Sequence, residues 1–368
     1  VKVQYFLSQV VLQAAVEAAA KGIRKENLNF NFSYPEAFSN DQYRAFKSIS
    51  KRSINIAFSD EEKVNSTAKY RPESLSSALY FAQGQKTSFT ENVVTIDIGG
   101  GTSDISIWQN LNLIWRNSFQ LAGRDVLIKY LSSNLPLVKE ISGNDELLQS
   151  TFDDLETIKD DPEKIRNGIE LLVNSPEFSK AFSSRFEIVS GSDTGKKLRD
   201  VSEIALSGIL YYIANVINFL VDTGHFNKSL SSGLKICLGG KASSLYKIIF
   251  QDEEEQAGIS KLMQKATKGI FKSIAFEFTQ FPKHEVSYGL LVNTEGATDL
   301  NVKEKSNEVV LGEQVTIGKN SSSLLSQLDP NEKTWRISKL TELENYLELL
   351  QSSCKIKPNI TAKFKNDM

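Results

Sequence analysis

The segment VVTIDIGGGTSDISIW, residues 93–108, constrains this chain more than any other stretch. Two runs rich in β-branched residues, Val93 to Ile98 and Ile105 to Trp108, flank the turn GGGTSD, which predicts two strands folded back on each other. Leu111 to Phe119 continues the meander, so antiparallel pairing is expected. The successive glycines Gly99, Gly100 and Gly101 permit positive φ angles and close approach, so that several amide N–H groups can converge on phosphate oxygens. Asp97 ends the incoming strand, a place from which a carboxylate holds Mg²⁺ through water, because that ion takes few carboxylates and keeps most of its hydration shell. Thr102 offers a hydroxyl to a terminal phosphate. Asp104 can do the same or can bond backbone amides of the turn, and the structural role is the one favoured. Glycine-rich turns that bind nothing are common. A glycine run bracketed by two strand-end aspartates is rarer, and the segment reads as a nucleotide-phosphate hairpin.

At 368 residues, 40% hydrophobic and 24% charged, the chain is long enough for two lobes that need no staples. Lys and Arg total 43 against 45 Asp and Glu, so there is no basic excess to neutralise a phosphate backbone, and nucleic acid is not an expected partner. Cys237 and Cys354 are too few for a disulfide framework; with Cys237 inside the apolar run LKICL, reduced thiols and a cytoplasmic location are expected. His225 and His284 lie outside any zinc-ligand spacing. No signal peptide opens the chain, which starts at Val1 and reads as a fragment. Ile204 to Val221 is uncharged and near bilayer-spanning length. Ser207, Gly208, Asn215 and Asn218 interrupt it and Asp222 ends it, so a buried helix is expected rather than a membrane span.

Along the chain, Val3 to Ala20 predicts a helix stopped by Gly22, and the alternation NLNFNFSY predicts a strand over Asn27 to Tyr34 closed by Pro35. Ser39 and Gln42 have the spacing of a reciprocal helix-start cap, with Tyr43, Phe46 and Ile49 as the apolar stripe. Ile54 to Phe58 predicts a short strand, and Pro72 opens a helix through Ser76 and Phe81. Residues from about 134 to 199 are polar and helical in pattern, an inserted subdomain. The strand Leu234 to Leu238 is turned by Gly239 and Gly240 into a helix around Leu245 to Phe250. Beyond Gly289 come short strand and helix signals, including a helix over Ser338 to Leu350 with Leu340, Leu343, Leu347 and Leu350 on one face. The division expected is 1–90, a first lobe; 91–300, a second lobe carrying the insertion; and 301–368, a C-terminal extension.

Taken in order, NFSYPEAFSNDQYRAFK, ESLSSALYFA, TIDIGGGTSDISI, FQLAGRDV, ICLGGKASSL and HEVSYGLLV resemble the connecting, phosphate, adenosine and closing segments of the actin-like ATPase superfamily. The resemblance is to the nucleotide-binding domain of the seventy-kilodalton heat-shock chaperones and to bacterial actin-like proteins, and it spans roughly Val3 to Val292, with Asn134 to Arg199 unmatched. It implies an α/β, ribonuclease H-like fold with two lobes around a cleft, ATP or ADP with Mg²⁺ as ligands, ATP hydrolysis coupled to lobe closure, and an unidentified protein partner or self-assembly. A catalytically inactive or filament-forming relative is the alternative it leaves open. The resemblance gives Glu73 the positioning of the attacking water near magnesium, where its own setting suggests a first-turn glutamate favoured by the helix dipole. It sets Gly123 close to the nucleotide and Gly239 and Gly240 against the adenosine, with Ser243 or Ser244 capping the next helix; each glycine also suits a plain turn. The family's first phosphate motif, with its second magnesium-side aspartate, is absent from residues 1–368 and is expected upstream of Val1. Ser243 stands where the chaperones place an arginine against the base, and Ser74 where a proline follows the glutamate. The stretch after Val292 is too short and too poor in strands for a chaperone peptide-binding domain.

Overall fold

The computed structural model describes residues 2–24, 27–58, 68–230, 232–250, 253–292, 300–301, 314–317, 321–324 and 337–354. Its N-terminal unit consists of α1 (Lys2–Ala20), β1 (Asn31–Tyr34), α2 (Asn40–Phe58) and β2 (Lys69–Pro72). The reciprocal cap forms at the start of α2: Gln42 N donates to Ser39 Oγ at 3.2 Å and Ser39 N donates to Gln42 Oε1 at 2.8 Å. Ile54 to Phe58, expected as a strand, is instead the end of α2. Local β preference loses there to packing, because Ile54 is buried against Val11 of α1 and the Phe30 and Phe32 rings. Ser53 Oγ, bonded to Ile49 O at 2.9 Å, also reaches Gln4 O across the helix pair. β1 is shorter than the alternation suggested, since only Asn31 to Tyr34 find partners, in parallel register with Lys69 to Pro72. Phe32 and Tyr70 stack across that pair with centroids 5.6 Å apart.

The main sheet has five strands, in the order β5-β4-β3-β6-β7: β3 (Asn92–Ile98), β4 (Ser103–Gln109), β5 (Asn112–Phe119), β6 (Gly233–Gly239) and β7 (Ser273–Phe278). The first three form the expected antiparallel meander, while β3, β6 and β7 run parallel. Every residue of β3 and β4 is buried, as befits strands covered on both faces. α3 (Glu73–Leu79) opens directly after Pro72 and runs into a π turn, Tyr80–Gly84.

After β5, a π turn (Arg124–Ile128) leads through α4 (Lys129–Ser132) into α5 (Leu135–Ser142), α6 (Glu146–Thr157), α7 (Pro162–Asn174) and α8 (Pro176–Ser190). These insertion helices have their own core, in which Leu137, Ile141, Ile169 and Phe178 are buried together. Asp145 and Asp161 cap α6 and α7 by accepting from Leu148 N and Lys164 N, each at 3.1 Å. The 30-residue α9 (Asp193–Asp222) is apolar and long enough to span a bilayer; here Leu206, Ile209, Leu210, Ile213 and Ile217 join Ile96, Ile107 and Ile236 in the main core.

α10 (Ser243–Ile249), α11 (Glu253–Ala266) and α12 (Glu285–Leu291) follow. α12 ties the N-terminal unit to the rest: Asn31 Nδ2 donates to Leu290 O at 3.0 Å, Arg71 donates to the carbonyls of Gly289 and Val292, and Gly289 lies so close to α3 that a Cβ would meet Ser76 O at 1.8 Å. Asn301 adds to the edge of β5 through Leu113 N→Asn301 O at 3.0 Å and Asn301 N→Leu111 O at 2.8 Å. A second sheet, β8 (Gln314–Ile317), β9 (Ser321–Leu324) and β10 (Ile337–Leu340), precedes α13 (Thr341–Ser353). Leu340, expected within that last helix, pairs with Val315 as the end of β10. Leu347 and Leu350 reach the main core, and Tyr346 Oη donates to Ile204 O on α9 at 2.6 Å.

Candidate functional site

β3 and β6 end side by side, Asp97 opposite Gly239, at the carboxyl edge of a sheet where open α/β folds form their ligand crevices. Asp97 is 8% exposed, and its carboxylate accepts no hydrogen bond among the described residues. Burial, then the charges of Glu285, Asp104 and Glu73, pushes it well above the ordinary carboxylate range. Glu73, the first residue of α3, is raised to about 7 by burial and by Asp104, against a weak bond from Ser33 Oγ at 3.4 Å. Asp104 faces Asp97 across the hairpin and is raised to about 6 by burial. It accepts Glu36 N at 3.4 Å, in keeping with a structural role, and Glu36 is itself paired with Arg116 at 3.3 Å. Glu285, 1% exposed at the start of α12, accepts Gly240 N at 2.9 Å. These carboxylates form one electrostatic cluster, but no three Asp, Glu, His or Cys side chains among the described residues converge as a direct metal cage.

The hairpin tip departs from expectation in its backbone. None of Gly99, Gly100 and Gly101 has a positive φ; the turn closes instead through Gly99 N→Thr102 O at 2.9 Å. What the glycines provide is access: a Cβ on Gly100 would have no neighbour within 4 Å, and one on Gly101 would meet only Arg124 Nη1 at 3.8 Å. The amides of Gly100, Gly101 and Thr102 have no hydrogen-bond acceptor among the described residues, which leaves three successive N–H groups open to an anion. The Thr102 hydroxyl donates to Asp104 Oδ2 at 3.4 Å.

Close approach governs the glycines around the tip. Gly123 N donates to Gly99 O at 3.1 Å and Arg124 N to Gly100 O at 2.9 Å, so the glycine turn is docked on the hairpin; a Cβ on Gly123 would stand 2.7 Å from Ala242 Cβ. Gly240, at φ +79°, has its missing Cβ 2.4 Å from both Asp97 Oδ1 and Ile98 O. Gly239 lies beneath Ser77 and Glu285. Ser243 is fully buried and donates to Gly240 O at 2.7 Å, fastening the turn, while Ser244 is the serine that faces the neighbouring cavity.

That cavity, of about 480 Å³, lies between Gly99, Gly100, Gly123 and Ala242 on the sheet side and α7 and α8 on the insertion side. It is large enough for a nucleoside. Phe178 and Phe182, stacked at 6.0 Å, form an apolar wall. Two cations cross its rim. Arg124 pairs with Glu170, and Lys241 Nζ donates to Val173 O at 2.9 Å and Asn174 Oδ1 at 3.0 Å. Burial and then Lys283 lower the Lys241 ammonium to about 8.

The structure thus brings Glu73 and Asp97 into one carboxylate cluster, puts Gly99, Gly100 and Gly123 on the cavity, sets Gly101 and Thr102 at the tip, and turns Ser243 inward. Glu285, Arg124, Lys241 and Glu170 were missed. The first three adjoin expected segments, in HEVSYGLLV, LAGRDV and LGGKASS; Glu170 sits in the insertion, where nothing marks it. No protein-family model matches the sequence, and no curated protein matches it. Among solved structures, the ethanolamine utilization protein EutJ from Carboxydothermus hydrogenoformans aligns over 78% of this chain and 73% of its own at 11% identity, with a TM-score of 0.38, an overlap too loose to transfer a function.

Proposed function

We propose that this chain binds a magnesium nucleotide, ATP or ADP, as part of an actin-like ATPase with a ribonuclease H-like sheet, and that, together with the first phosphate motif that residues 1–368 lack, it hydrolyses ATP to drive lobe closure and partner binding. The observation that carries the reading is the hairpin tip: open amides at Gly100 to Thr102 stand between a buried, unbonded Asp97 and a nucleoside-sized cavity. The sheet order supports it too, since three antiparallel strands followed by two parallel ones, with β4 alone reversed, is the ribonuclease H-like arrangement. Asp97, in a cluster of four carboxylates, suits a divalent cation because a cation removes the mutual repulsion that otherwise forces protonation. Bound there, Mg²⁺ would neutralise charge on the transferring phosphoryl group. The tip amides hold phosphate oxygens, Gly123 and Gly240 keep the walls close, and Glu73 at the start of α3 orients the attacking water. A reducing, cytoplasmic setting fits two buried free cysteines.

The second reading is an interaction or filament-forming protein without catalysis. It is favoured by the outer face of α1, where Val3, Tyr5, Phe6, Val10 and Val16 are all exposed. Thermal shift with millimolar Mg-ATP and a phosphate-release assay separate the two. The proposal expects stabilisation of this chain, and slow hydrolysis once the first phosphate motif is restored, both lost in Asp97→Ala. Stabilisation without hydrolysis supports the second reading, and an unchanged melting temperature rejects nucleotide binding.

A further inference from the structure

Arg124 stands between two anionic demands. Its amide is tied to Gly100 O at 2.9 Å, which fixes the residue beside the hairpin tip. Nη1 lies 3.8 Å from where a Cβ on Gly101 would sit, next to the open amides, while Nη2 is ion-paired with Glu170 on α7. Its Nε is buried and has no hydrogen-bond partner among the described residues. The guanidinium therefore has donors beyond those that Glu170 uses. The pair is partly open to solvent, 41% and 29% exposed, so it is exchangeable rather than locked.

We infer that Arg124 is a phosphate ligand that changes partners: with the tip empty it holds Glu170 and fastens α7 over the cavity, and a polyphosphate at the tip takes the guanidinium and releases α7 at Glu170. The inference rests on the nucleotide reading and adds the direction of the response. A planar guanidinium binds phosphate oxygens through two parallel bonds, and phosphate brings more charge than one carboxylate, so the exchange favours the ligand. Lys241 remains bonded to Val173 O and Asn174 Oδ1, so the end of α7 stays anchored while the preceding turn loosens. Occupancy is thereby reported to the outer surface of the insertion.

The test uses the full chain with Mg-ATP and, as a probe without a base, inorganic tripolyphosphate. Glu170→Gln is expected to tighten both ligands by about two- to five-fold, the range a partly exposed competing ion pair supports. Arg124→Gln is expected to weaken both by about ten-fold or more, with Arg124→Lys intermediate. Hydrogen exchange in α7 is expected to rise on ligand binding in the unsubstituted protein and to be unresponsive in Glu170→Gln. Should that variant fail to fold, by circular dichroism, Glu170→Asp is expected to shift affinity in the same direction. If ATP binds the unsubstituted chain but the Glu170 variants bind no more tightly, or α7 becomes more protected, the switch is wrong and the nucleotide site stands. Absence of ATP binding to the unsubstituted chain overturns both.

Discussion

A carboxylate as buried as Asp97, with no hydrogen bond among the described residues, destabilises a fold unless it is protonated or meets a cation. Asp97→Asn removes the charge at nearly constant volume. It is therefore expected to raise the melting temperature of the unliganded protein at pH 7.5 by a few degrees, roughly 1 kcal/mol or more, while abolishing any stabilisation by Mg-ATP. Differential scanning fluorimetry with and without the nucleotide reads both effects; a variant less stable than the parent would show that Asp97 has a structural partner. At this scale, what was legible depended on distance along the chain. Asp97, the glycines and Thr102 share one hairpin, so neighbouring residue types announce them. Gly123 and Gly240 were legible as glycines, but their reason, the 2.7 Å and 2.4 Å contacts that a Cβ would make, needs partners from other segments. Glu285, Arg124, Lys241 and Glu170 acquire meaning only from what folding sets beside them.

Helices and strands were legible where a local signal and a tertiary contact agree. The Ser39 and Gln42 cap forms as the spacing implies, and Ser39→Ala is expected to cost about 1 kcal/mol in urea denaturation. Two elements were misjudged because the contacts overrule the pattern. Ile54 looks like a strand residue until α1 covers it, and Leu340 looks helical until β8 pairs with it. The α3–α12 crossing has no sequence mark beyond one glycine. Gly289→Ala would set a methyl against Ser76 O and is expected to destabilise by about 1–3 kcal/mol, read as a lower urea midpoint with an unchanged slope. An unaffected midpoint would mean that the two helices slide apart without penalty.

For the molecule as a whole, raised carboxylates set the response to pH. Glu73 at about 7, Asp104 at about 6 and, far from the site, Glu203 at about 7 all hold protons more tightly folded than unfolded. Burial is the leading cause for each; around Glu203 the charges of Glu255 and Asp200 add to it, while a hydrogen bond from Cys354 and the charge of Arg199 favour the ionised form. Stability from these groups is full below their unfolded values and is lost as pH rises through 6 to 7. The unliganded protein is thus expected to melt higher at pH 5.5 than at 7.5, and Glu73→Gln to flatten part of that slope. The α/β class, the hairpin and the run of helices between β5 and β6 were legible at this scale because each is a run of consecutive signals. The parallel pairing of β3 with β6 was not, since the whole insertion separates them, nor was the return of α13 to cover α9. That return has a consequence for the order of synthesis. Among the described residues, the one helix long and apolar enough to cross a membrane is complete at Asp222, before β6, α11 and Tyr346 exist to cover it. A ribosome stalled, or a message truncated, between those points would release a polypeptide whose longest bare segment resembles an insertion signal. Such truncations are expected to pellet with membranes or aggregates, whereas chains ending after Ser353 remain in the supernatant.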